Sequence, residues 1–256
     1  MSLHVESYGS GDPLVLLHGW GMHGGVWEPV LPGLASHFRV HCVDLPGYGA
    51  SPPLAQPTLD GLVQVLSERF TGSLHLCGWS LGGQIALRWA GQSPAQIGKL
   101  ALIASTPRFV KCEGWSCAVS DTVLQEFADA LLQDGMEVLR RFVALQVRGS
   151  TRERELLAAM RECLFGRGVP QAQTLLAGLG ILRDTDLRSM LAQIGQPALV
   201  IAGERDLLTP PAASAWMAHS LPRAIFAEIR GAAHAPFLSH PDMVVRQLVD
   251  FLESME

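Results

Sequence analysis

Long apolar runs are missing from this 256-residue chain. None approaches the roughly 20 residues that a bilayer-spanning helix needs, so no membrane span is expected. The opening MSLHVESYGSGD has neither a charged leader nor an apolar core, and no secretory signal is expected. Net positive charge is also missing: the formal charge is −5, which argues against a nucleic-acid partner. No CxxC pair and no cysteine–histidine cluster has zinc-binding spacing, so no metal site is expected. The five cysteines, Cys42, Cys77, Cys112, Cys117 and Cys163, are odd in number and suit a reducing cytoplasm. Cys42 and Cys77 sit in apolar runs and are expected to be inert core residues. Repeats and low-complexity segments are absent too. What is left is a chain 48% apolar and 17% charged, the composition of a soluble globular protein with a substantial core.

Short apolar runs alternate with helical patterns. PLVLLHG (13–19), FRVHCVDLPG (38–47), SLHLCGWS (73–80), KLALIAS (99–105), PALVIAG (197–203) and AIFAEIRG (224–231) read as strands. Several are apolar almost throughout, as parallel strands covered on both faces should be. Helix patterns fall over 59–70, 82–92, 211–220 and 242–254. The alternation predicts an α/β fold, a mostly parallel central sheet with helices on both faces. From 108 to 186 the rhythm stops, and the text is helical without a convincing strand. That stretch is expected to be a helical cap inserted in a core formed by residues 1–107 and 187–256. An insertion at the carboxyl edge of a sheet can cover a site formed there.

Ser80 stands where one strand pattern turns into a helix pattern. Gly78 and Gly82 flank it, so GWSLG fits G-x-S-x-G, the nucleophile elbow. Glycines two residues away leave room for strand and helix to approach closely. The N–H groups that open the helix can face a developing negative charge. A serine hydroxyl needs a base, and the base needs a carboxylate to orient it. In this architecture they follow in the order serine, acid, histidine. His234 lies in the small-residue loop GAAHAPF after a strand and is the candidate base. His219 falls in a helix pattern, and His240 precedes a proline at a helix start. The acid comes from GERDLL: Asp206, with Glu204 as the alternative. Asp44 precedes the serine and is expected to hold its own loop. His18-Gly19-Trp20-Gly21 is similar to the HG-type anion motif, so the backbone N–H groups of Trp20 and Leu81 are the candidate anion donors. His18 itself is expected to be buried and structural. Trp20, Trp79, Leu81, Phe142 and Leu207 are candidates for an apolar substrate pocket. No metal or organic cofactor is required by such chemistry.

HGWG, DLPGYGAS, GWSLGG, GERDLLTP and GAAHAPFLSHP occur in the order in which the α/β-hydrolase family carries them, and over nearly its whole length the chain resembles that family. The resemblance implies catalysis by Ser80, Asp206 and His234. A serine at the elbow, rather than an aspartate, speaks against the dehalogenase and epoxide hydrolase branches. LLHGWGM, VDLPGYGAS, RRFVALQ, GLGILRDTDLR and AHAPFLSHP are similar to one branch in particular. Its members cleave the methyl ester of a pimeloyl chain held on acyl-carrier protein, in biotin synthesis. The resemblance therefore implies an acyl-carrier protein partner. Charge is compatible with it: residues 138–168 hold seven arginines against three glutamates, a local +4 on a body of −9. Arg140, Arg141, Arg148, Arg152 and Arg154 are the docking candidates for an acidic carrier, although Arg152/Glu155 and Arg154/Glu153 can also pair locally. A monomer is expected. Three other functions stay open: a general short-chain carboxylesterase, a carbon–carbon bond hydrolase, and a non-enzymatic ligand receptor on the same fold.

Overall fold

The computed structural model describes residues 2–254. Seven strands form one sheet: β1 (Val5–Tyr8), β2 (Pro13–Leu17), β3 (Arg39–Val43), β4 (Leu74–Trp79), β5 (Ile97–Ile103), β6 (Ala198–Gly203) and β7 (Ala224–Ile229). Their spatial order is β1-β3-β2-β4-β5-β6-β7. β1 runs antiparallel to β3, and every other pairing is parallel. All six residues of β6 are buried. Both faces of that strand are therefore covered, which is why its text is apolar without alternation. β1 was not apparent in the sequence. Its four residues, VESY, are half-buried or exposed, as fits an antiparallel edge strand.

Helices α1 (Leu31–Ala35), α2 (Leu59–Arg69) and α3 (Leu81–Gln92) lie between the early strands. α2 starts at Thr58, whose hydroxyl accepts the Gly61 N–H at 3.0 Å. After β6 come α8 (Pro211–Ser220), α9 (Pro236–Ser239) and α10 (Pro241–Glu253). α10 buries Val244, Leu248, Phe251 and Leu252, a spacing that lines one helical face against the body.

Between β5 and β6 the chain forms α4 (Asp121–Gln133), α5 (Gly135–Val147), α6 (Glu153–Gly166) and α7 (Ala172–Asp184). The helical run 121–147 breaks at Asp134, because that carboxylate accepts the Glu137 N–H at 3.0 Å and starts a new helix. The excursion is drawn together at its base. Arg108 and Asp186 form an antiparallel bridge, and their side chains pair at 3.2 Å. Next to them the Leu187 N–H donates to Pro107 O at 2.9 Å.

The strand order places β2 between β3 and β4, so the chain leaves β2 in one direction and later returns on its other side. At such a switch point the loops leave the carboxyl ends of neighbouring strands in opposite directions, opening a crevice. Trp20 follows β2 and Ser80 follows β4, one on each side of that crevice.

Candidate active site

Ser80 caps α3 with φ 55° and ψ −116°, a left-handed-side conformation that a serine adopts only when its surroundings impose it. The constraints are visible. Ser80 N–H donates to Ile103 O at 3.0 Å, while its carbonyl accepts from Gly83 N–H and from Ser105 Oγ, each at 2.9 Å. A Cβ on Gly78 would overlap the Gly82 carbonyl, and a Cβ on Gly82 would overlap the Leu17 carbonyl. Both glycines are therefore demanded by backbone meeting backbone. All these bonds use the Ser80 main chain. Its hydroxyl takes part in no hydrogen bond among the described residues and borders a cavity.

His234 borders the same cavity. It is 1% exposed, in the turn between β7 and α9. Its Nδ1 lies 2.8 Å from Asp206 Oδ2. A carboxylate can only accept, so Nδ1 carries the proton and Nε2 keeps its lone pair. Four bonds fix the rest of this unit. The His234 N–H donates to Gln146 O of α5 at 3.0 Å, and Trp79 Nε1–H donates to His234 O at 2.7 Å. Asp206 Oδ1 accepts the N–H groups of Leu208 and Thr209 at 2.8 and 2.9 Å. Glu204, the alternative acid, is turned elsewhere: its carboxylate accepts the Gly231 N–H at 2.8 Å.

The loop after β2 passes directly against Ser80. A Cβ on Gly19 would stand 3.2 Å from Ser80 Cβ, so the Trp20 amide follows immediately beside the serine. Leu81 is the first residue of α3, and its N–H has no carbonyl within the helix to bond. His18 holds this loop from beneath. Leu45 N–H donates to His18 Nε2 at 3.0 Å, which leaves Nδ1–H to donate to Gly19 O at 2.8 Å. Burial pushes His18 down to about 4, against the opposing pull of its bond to Gly19 O and of the Asp44 carboxylate, while His23 and Arg167 add to the lowering. It is a neutral structural imidazole. Asp44 holds the neighbouring loop, accepting Gly24 N–H at 2.7 Å and Ala50 N–H at 2.9 Å. Burial pushes the buried Cys42 thiol up to about 12, so it is not a nucleophile at neutral pH.

The cavity holds about 70 Å³ and its wall is apolar apart from Ser80 and His234. Trp20 and Phe142 line it, with Phe109, Phe127, Leu124 and Leu208 among their neighbours. Trp20 meets Phe142 and Phe127 edge-on, at ring distances of 4.7 and 5.6 Å, and its Nε1–H is spent on Leu175 O. Three expected lining residues do not border the cavity. Trp79 is turned beneath it, packed on Phe237 and His234. The Leu81 side chain faces a separate small space beside Leu45 and Tyr48. Leu207 is 61% exposed, and its neighbour Leu208 points inward instead. Phe127 went unnoticed because a lone aromatic on an amphipathic helix looks like ordinary packing; its position inside an insertion was the available clue. Thr209 went unnoticed because nothing in the text tells which loop hydroxyl will meet the carboxylate.

A sequence profile described as the alpha/beta hydrolase fold matches residues 12–241. The chain belongs to the alpha/beta hydrolase fold family. Over 244 residues this hydrolase is 45% identical to a Nitrosomonas europaea protein named pimeloyl-[acyl-carrier protein] methyl ester esterase, covering 95% of this chain and 97% of that one. A Chromobacterium violaceum protein of the same name is 44% identical, with 99% of each chain covered. Among solved structures, an esterase from Exiguobacterium antarcticum superposes with a TM-score of 0.90 over 98% of this chain and 96% of its own. At 23% identity, that likeness speaks for the fold alone.

The arginines expected to dock a carrier are all exposed. Arg152 is tied to Glu155 at 2.9 Å, and Arg140 lies 3.8 Å from Glu137. Arg141, Arg148 and Arg154 make no ion pair among the described residues. Glu153 does not pair with Arg154; it accepts the Gly149 N–H at 2.8 Å. Arg167, at the end of the basic stretch, is engaged inward with Glu6 and Asp44.

Proposed function

We propose that this hydrolase cleaves the methyl ester of a pimeloyl chain carried on acyl-carrier protein, releasing methanol and a free distal carboxylate in biotin synthesis. The carrying observation is Ser80 bordering one apolar cavity with a His234 whose ring is already bonded to Asp206 at 2.8 Å. Two relatives more than 40% identical over nearly the full chain bear the name of that activity.

In this reading Ser80 Oγ attacks the ester carbonyl while His234 Nε2 takes its proton. The Trp20 and Leu81 N–H groups hold the oxyanion, a contribution of about 3 kcal/mol per donor in well-studied cases. His234 then protonates departing methanol, and water repeats the attack on the acyl-enzyme. Asp206 keeps the ring in the right tautomer and balances the imidazolium without taking its proton. The apolar wall around Trp20, Phe127 and Phe142 suits a methylene chain. Residues 108–186 act as the cap, on a body of residues 1–107 and 187–256. The exposed face carrying Arg140, Arg141, Arg148, Arg152 and Arg154 meets the acidic carrier, with Arg141, Arg148 and Arg154 the least committed to other partners. The protein works as a cytoplasmic monomer, a setting that five unpaired thiols suit.

The test is hydrolysis of methyl pimeloyl-carrier by the purified protein and by S80A. Turnover by the unaltered chain is expected, with S80A slower by about 10⁴-fold or more and an unchanged melting temperature. Full turnover by S80A would remove the nucleophile. Preference for free short esters over the carrier-bound one would favour a general carboxylesterase, and cleavage of a vinylogous diketone would favour a carbon–carbon hydrolase. One acylation without a second turnover would favour the receptor reading.

A further inference from the structure

Thr209 is 1% exposed and sits where three groups converge. Its Oγ1 lies 2.7 Å from Asp206 Oδ2, 2.9 Å from Ala104 O and 3.3 Å from His234 Nδ1. A hydroxyl has one proton. It can go to the carboxylate or to the Ala104 carbonyl, not to both. If it went to Ala104, a hydroxyl lone pair would face the charged Oδ2 at 2.7 Å in a dry interior, an unfavourable contact. Bonds to ionised acceptors are roughly twice as strong as neutral ones. Charge therefore sends the proton to Oδ2, the same oxygen that receives His234 Nδ1–H.

We infer that Thr209 is a positioning residue that tunes the base: by donating to Asp206 Oδ2 it shares the carboxylate's charge and keeps His234 unprotonated to lower pH. The inference rests on the reading of His234 as the general base. With the hydroxyl proton in place, less negative charge is left to stabilise an imidazolium. Without it, the whole charge of Oδ2 falls on the ring, and His234 holds a proton more tightly. Asp206 is the charged group in this constellation. The other neighbours of His234 are uncharged: Trp79 from β4, Gln146 from α5, and Ala104 at the end of β5 across the Thr209 hydroxyl. Glu204 and Arg205, beside Asp206 in sequence, are turned to Gly231 N–H and Gly149 O. Among the described residues no lysine or arginine forms an ion pair with Asp206.

T209V removes the donor while keeping the shape. The measurement is the pH profile of kcat/KM on p-nitrophenyl butyrate, whose acid limb reports the free enzyme's base. In T209V that limb is expected to move up by about 0.5–1 pH unit. T209S, which restores the hydroxyl, is expected to return the limb to its original place. A limb that stays put or moves down in T209V, or T209S behaving like T209V, would overturn the inference. S80A, run beside them, separates the two levels. If it is inactive, only the role of Thr209 is at stake; if it keeps turnover, the reading of the whole site falls and the inference with it. Should T209V not fold, neutron diffraction on the unaltered protein decides: a Thr209 deuteron directed at Asp206 Oδ2 supports the assignment, and one directed at Ala104 O refutes it.

Discussion

The carboxyl edge of the sheet and the helical excursion above it are built by different physics. At the sheet edge, position is enforced by backbone. Ser80 is driven to a positive φ because strand β4, helix α3 and the end of β2 meet with no room for a Cβ at Gly78 or Gly82. Asp206 is held by the Leu208 and Thr209 amides, and the His234 main chain by the Trp79 ring N–H and, from the excursion, the Gln146 carbonyl. In residues 121–184 position is set by side-chain packing of amphipathic helices, and the outward faces are left to charge. The first construction tolerates almost no change and fixes the chemistry. The second can vary in sequence while keeping its helices, which suits a surface that chooses what enters.

That contrast can be broken from the sheet side most sharply. G82A would force a side chain into the Leu17 carbonyl, so it is expected to cost on the order of 3 kcal/mol or more and to yield little folded protein. Near-normal thermal unfolding of G82A would show that the elbow is not sterically locked. The buried His18 offers a pH test of nearly the same size. The unfolded chain takes up its proton near 6.5 and the folded protein only at about 4. This histidine's contribution is therefore complete above pH 6.5 and is lost as pH falls toward 4. The amount is on the order of 3 kcal/mol. Denaturant unfolding across that window should show the loss, and H18N, less stable overall, should show a flatter slope. Equal slopes would place the acid sensitivity elsewhere. The cap side predicts a smaller and more selective effect. R141E/R148E/R154E should lower kcat/KM on the carrier-bound ester by about 10-fold at low ionic strength and leave p-nitrophenyl butyrate unchanged. The gap should narrow as salt screens the surface charges. Equal loss on both substrates would mean that these arginines act on the site itself.

The same contrast decides what could be read from the chain alone. The central strands were legible because a buried parallel strand must be apolar at nearly every position; β7 was legible from its apolar text, although as an edge strand it leaves Ile225 and Phe226 exposed. β1 was not, because an edge strand with both faces half-open has no such requirement. The gathering of Ser80, Asp206 and His234 at one edge was legible because each follows the carboxyl end of a strand, where topology gathers loops. Trp79 and Leu207 misled for a local reason. The sequence neighbours of Ser80 and Asp206 point away from the cavity, so Trp79 went beneath the site and Leu207 into solvent. Phe127 and Thr209 belong to the site through tertiary contacts that no spacing encodes.

The central claim is that the buried Asp206–His234 pair activates one hydroxyl, that of Ser80. Treatment with a fluorophosphonate, followed by digestion and mass spectrometry, addresses it without choosing a substrate. One phosphonyl group per chain on the Ser80 peptide is the predicted result, with labelling lost in H234A. A label on another residue, or undiminished labelling of Ser80 in H234A, would contradict it.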